Sequence, residues 1–177
     1  TINHFIPGSI LARSILHEAG AEISLEAVKE HSKILNKLFR NEFIYPTKTT
    51  LDEAFEETVA AFSVRGFIDL SGSNEAPDVI IKEAETLEML ASFLDVFVEA
   101  YWATIKSLDI LQEFPLWDKE LKARCMENCR RFYLKGKVSR PEAANRTLVE
   151  SCINWLIRTN VLNLQENGKK KTVSLAP

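Results

Sequence analysis

The feature that most limits how this chain can fold is a pattern that recurs at an offset of 94 residues. Phe55, Val59, Phe62, Ile68 and Leu70 recur as Val149, Ile153, Leu156, Leu162 and Leu164. Between the two parts of each copy stands a residue that tolerates positive φ, Gly66 in the first and Asn160 in the second. Residues 79–81 and 173–175 then match at the same offset. Before the stop the apolar spacing is three and four, and after it the runs are short and strand-like. That change predicts an amphipathic helix feeding a β-hairpin. The chain therefore reads as two helix-plus-hairpin units, over about residues 47–82 and 139–177.

Around these units the remaining segments read helical. Ile10, Leu11, Ile15 and Leu16 predict a helix over 9–17, broken at Gly20. Ser24 is placed to cap a second helix to about Arg40. Residues 43–45 form a short extended run ended by Pro46. Thr50 with Glu53 makes a capping box for the first repeated helix. Leu87, Leu90, Leu94, Phe97, Tyr101, Leu108 and Leu111 predict one long central helix over about 83–112, ended by Pro115. Another helix is expected from Asp118 to Lys135, stopped at Gly136. Ser139 is placed to cap the last one, with Pro141 in its first turn and an end near Asn160. The fold class is mainly α with short β-hairpins: a helical bundle holding two winged-helix-like repeats.

Charge is unevenly spread. Residues 52–99 hold twelve acidic and two basic side chains, and residues 118–171 hold six acidic and thirteen basic. The second half is a candidate for meeting phosphate or an anionic membrane, although solvated helix faces give the same count. A winged helix also raises nucleic-acid binding. The first repeated helix carries Asp52, Glu53, Glu56 and Glu57, which would repel a duplex. The only tight basic run is Lys169, Lys170 and Lys171 on a turn. Nucleic acid is not an expected partner.

No catalytic pattern is present. The chain lacks a Gly-x-Ser-x-Gly elbow, a phosphate loop, a dinucleotide fingerprint and a His-Glu-x-x-His helix. His17 reads as a helix C-terminal residue, and His31, between Glu30 and Lys33, as part of a solvated face. His4, beside Asn3, is the one histidine kept as a functional candidate. Cys125 and Cys129 share a helix face, but no further ligand lies near them in sequence, so with Cys152 they read as core residues of a reduced, intracellular protein. No metal site is expected. The start has no basic and apolar leader, and no run of about 18 apolar residues exists. The abrupt beginning at Thr1 suggests a segment of a longer polypeptide.

Four stretches together carry a family resemblance. They are Asn3-His4-Phe5-Ile6-Pro7 with Ile10-Leu11-Ala12, then Leu38-Phe39-Arg40-Asn41-Glu42-Phe43-Ile44-Tyr45, then Phe93 through Tyr101 with Phe97-Val98-Glu99-Ala100-Tyr101, and Gly136-Lys137-Val138-Ser139-Arg140-Pro141-Glu142-Ala143 leading to Leu148, Glu150 and Ile153. In order and spacing they resemble the C-terminal region of glycerol-3-phosphate and dihydroxyacetone-phosphate acyltransferases, the bacterial-type glycerol-3-phosphate enzymes above all. The resemblance implies transfer of an acyl group from acyl-CoA or acyl-carrier protein, with no other cofactor, to the 1-hydroxyl of glycerol 3-phosphate. It implies a histidine general base in a His-x-x-x-x-Asp motif within a preceding α/β domain of the same polypeptide. Here the fifth residues after His4, His17 and His31 are Ser9, Glu22 and Asn36, so no catalytic residue carries over. What the resemblance leaves to this chain is a substrate-proximal place for Asn3 and His4. It also suggests membrane or domain contacts for Arg130, Arg131 and Arg140. The parent enzyme would work peripherally at the cytoplasmic face of a membrane.

Overall fold

In the computed structural model, residues 6–18, 23–43, 50–73, 76–167 and 170–176 are described. The chain divides into two units, Thr1–Leu94 and Asp95–Pro177.

The first unit opens with α1 (Ile6–His17) and α2 (Leu25–Leu38). Ser24 occupies the N-cap of α2 but its side chain caps nothing; its backbone bridges to Asp78 instead. The extended run expected at 43–45 falls mostly outside the described residues. Then follow α3 (Leu51–Val64), β1 (Ile68–Ser73), β2 (Ala76–Ile81) and α4 (Ala84–Ser92). At the start of α3, the Thr50 hydroxyl accepts the Glu53 N–H while the Glu53 carboxylate accepts the Thr50 N–H, as the capping box requires. The helix ends at Gly66, whose φ is +73°. Its N–H donates to the Ser63 carbonyl, and the Phe67 N–H donates to Phe62 O. Those two bonds satisfy carbonyls the helix leaves open and turn the chain into β1. Strands β1 and β2 pair antiparallel, Ile68 opposite Ile81, and the Val79 N–H reaches out to Ile23 O at 2.7 Å. The core gathers Leu11, Ile15, Val28, Phe62, Ile68 and Leu87. Each such side chain contributes roughly 1.5–3 kcal/mol when withdrawn from water.

The second unit repeats this plan. It comprises α5 (Asp95–Lys106), a 3₁₀ segment (Ser107–Gln112), β3 (Leu116–Trp117), α6 (Asp118–Leu134), α7 (Arg146–Arg158), β4 (Leu162–Asn167) and β5 (Lys170–Leu175). Here β3 joins the hairpin as a full third strand, in the order β3-β5-β4. The offset of 94 holds bond for bond. Asn160, at φ +57°, stands for Gly66, and the Val161 N–H donates to Leu156 O where Phe67 donates to Phe62 O. Leu162 faces Leu175 as Ile68 faces Ile81. In each unit the order is helix, short bridging strand, helix, helix, hairpin, which is the winged-helix order. The repeat thus reaches back to α2 and α6, beyond the sequence match.

Two expectations are corrected. The single helix expected over 83–112 is α4, a break at Phe93 and Leu94, α5 and the 3₁₀ segment. The Ser92 hydroxyl bonds the Met89 carbonyl at 2.7 Å, and the Phe93 and Leu94 N–H groups tighten to three-residue bonds. Such local bonds compete with the helical ladder. Ser139 does not cap the last helix. Pro141–Ala143 is a separate 3₁₀ turn, and Asn145 caps α7 by accepting from the Thr147 and Leu148 N–H groups.

Candidate functional site

The Gly136–Ala143 stretch is held by α5. Gly136 (φ +65°) ends α6, and Val138 is then buried at 1% exposure. The Ser139 N–H donates to Glu99 Oε1 and the Arg140 N–H to Glu99 Oε2, both at 2.9 Å. The Arg140 guanidinium donates to Asp95 Oδ2 at 3.1 Å. Asp95 and Glu99 stand one turn apart on α5, so a single helix face presents both carboxylates. One carboxylate accepting two successive backbone N–H groups is a clamp on loop geometry. Two of the four family-like stretches meet here, and Glu99 is the residue that sequence reasoning did not single out.

Arg130 and Arg131 are exposed on α6. Arg131 lines a hollow of about 550 Å³ together with Lys106, Arg124, Asp109 and Glu127. At the wing, Lys170 Nζ stands 4.0 Å from the centre of the Trp117 ring. Overall the second unit holds 14 basic and 10 acidic side chains, against 8 and 15 in the first. Among the described residues no helix is long and apolar enough to cross a membrane. Asn3 and His4 lie outside the described residues.

His31 does not lie on a solvated face. Packing of α1 on α2 brings its ring centre to 4.0 Å from that of His17, and its Nδ1 is buried with no hydrogen-bond partner among the described residues. Burial and the neighbouring His17 hold its pKa below the usual imidazole value, with Glu18 and the Ser14 backbone acting in the other direction. Glu18 completes a group with the two histidines, all three ligand atoms within 4.8 Å of one another. No sequence signal could have joined positions 17 and 31, because the contact is made between helices.

The three cysteines are buried thiols. Burial, with Cys129 nearby, pushes the Cys125 thiol up to about 12. Burial also raises Cys129, against a hydrogen bond with Thr104. Such thiols are packing groups, not nucleophiles.

No curated protein matches the chain. The family model described as the glycerol-3-phosphate acyltransferase C-terminal region matches residues 1–165. With nearly all of its length matched, the chain belongs to the glycerol-3-phosphate acyltransferase C-terminal region family.

Proposed function

We propose that this chain is the accessory C-terminal domain of a bacterial-type, membrane-associated enzyme. That enzyme moves a fatty acyl group from acyl-CoA or acyl-carrier protein to the 1-hydroxyl of glycerol 3-phosphate, a step of phospholipid synthesis. The family match over residues 1–165 carries this reading. The general base and its orienting aspartate then lie in an upstream α/β domain of the same polypeptide, where the histidine takes the proton of the attacking hydroxyl. In this reading Asn3 and His4 take the substrate-proximal place. The basic second unit, with Arg130 and Arg131 exposed, suits an anionic surface at the cytoplasmic face of a membrane. Arg140, engaged by Asp95, shapes the loop beside α5.

The test compares acyl transfer to radiolabelled glycerol 3-phosphate by the 177-residue chain and by the polypeptide extended upstream. Turnover by the extended form alone is the expected result. An upstream reading frame without a His-x-x-x-x-Asp domain overturns the proposal.

The paired winged-helix order favours a second reading, a protein-contact or nucleic-acid adaptor. The acidic start of α3 argues against a duplex in the first unit, since Asp52, Glu53 and Glu56 project from its first turns. Salt-sensitive retention of duplex DNA in a gel-shift assay would support the nucleic-acid version.

A further inference from the structure

We propose that His17, Glu18 and His31 form a site for a divalent transition metal, with zinc the best match. The donor set is two imidazole nitrogens and one carboxylate oxygen, which zinc binds at about 2.0–2.2 Å. A hard ion such as calcium or magnesium would find only one carboxylate here. The three ligand atoms already lie within 4.8 Å of one another. Donors on one tetrahedral ion stand roughly 3.3 Å apart, so modest side-chain rotation closes the set. The exposed His17 and the half-buried Glu18 are free to make that rotation.

The backbone beneath the site is fixed. His17 ends α1, and the Glu18 N–H still bonds Ser14 O at 3.2 Å, so Glu18 continues the helical turn. One turn earlier, the Ser32 hydroxyl donates to Ser14 Oγ at 3.0 Å, a buried bond that ties α2 to α1 immediately beside His31. His31 is the anchored ligand. Its buried Nδ1 lacks a hydrogen-bond partner among the described residues, a costly state for a polar atom. Metal binding at the ring would polarise it and fix its tautomer. With three protein ligands, a water or an incoming donor completes the shell. The ion would clip the end of α1 to the middle of α2.

The test is a titration of the reduced, chelator-stripped intact protein with zinc chloride against a chromophoric competitor, repeated with cobalt(II). One equivalent bound is expected, weakened at least tenfold by His17→Gln and by His31→Ala, and less by Glu18→Gln. The cobalt spectrum should lack a thiolate charge-transfer band, which separates this site from the cysteines. If His31→Ala fails to fold by circular dichroism, His17→Gln, at an exposed position, decides. No saturable binding, a thiolate band, or unchanged affinity in His17→Gln overturns the proposal.

Discussion

Glu99 receives the backbone N–H of Arg140 at 2.9 Å, across 41 residues of sequence. Its other carboxylate oxygen receives the N–H of Ser139, so the loop after α6 is held at a single side chain. Hydrogen bonds to a charged acceptor contribute more than neutral ones, although solvent weakens those near the surface. Glu99→Ala should therefore lower stability by about 1–3 kcal/mol in urea unfolding, and Glu99→Gln, which keeps one acceptor, by less. Equal stability of Glu99→Ala and the parent would mean that the clamp contributes nothing.

Gly66 and Asn160 occupy the same left-handed corner, but only one of them lacks a Cβ. A Cβ built on Gly66 meets no atom within 4 Å, so a substitution there meets only backbone strain. Gly66→Ala should cost about 1 kcal/mol, and Asn160→Gly should be neutral or mildly stabilising. Thermal unfolding of the two variants, measured side by side, checks the opposed signs.

The buried thiols make a chemical prediction. With Cys125 pushed up to about 12 and Cys129 also raised, neither is a thiolate near pH 8. Native protein should react with a thiol reagent no faster than it unfolds, and denaturant should release all three cysteines at once. Rapid modification of Cys125 in native buffer would contradict its place in the core.

The Thr50–Glu53 box makes a pH prediction. The Thr50 backbone N–H and hydroxyl hold the Glu53 carboxyl below its usual value of 4.5. A depressed carboxyl contributes stability that is present above its unfolded pKa and lost as pH falls through the folded one. The contribution should therefore fade below about pH 4.5. Glu53→Gln should flatten that part of the acid limb and leave the profile above it unchanged in shape. Thr50→Ala should lose about 1 kcal/mol at neutral pH. Denaturant midpoints measured from pH 3 to 7 separate the two.

Local signals were legible and contacts between helices were not. Thr50, Glu53, Gly66, Gly136 and Asn160 mark helix ends through bonds made within a few residues, so the sequence shows them directly. The hairpins follow because β-pairing at a fixed offset keeps its register. The break at Phe93 and Leu94 was hidden because a short interruption preserves the spacing of the buried positions Leu87, Leu94 and Tyr101. Pro141 is a strong start signal, and it masked Asn145 as the true cap. Glu99 at the loop and His31 against His17 depend on helices docking, which no local pattern encodes.

The Gly66 and Asn160 corners have a further consequence. From the corner to the end of the wing, the two copies differ by neither an insertion nor a deletion, since β1 and β2 map onto β4 and β5 at one constant offset. A single residue added between Gly66 and Ile68 that shifted β1 by one place against β2 would turn the side chains of β1 to the opposite face. Ile68, now 1% exposed, would lose its place in the core. Chain length between corner and wing is therefore a fixed dimension of this architecture, while the charge on its faces is free to drift: 15 acidic residues in one unit and 14 basic in the other clothe the same skeleton.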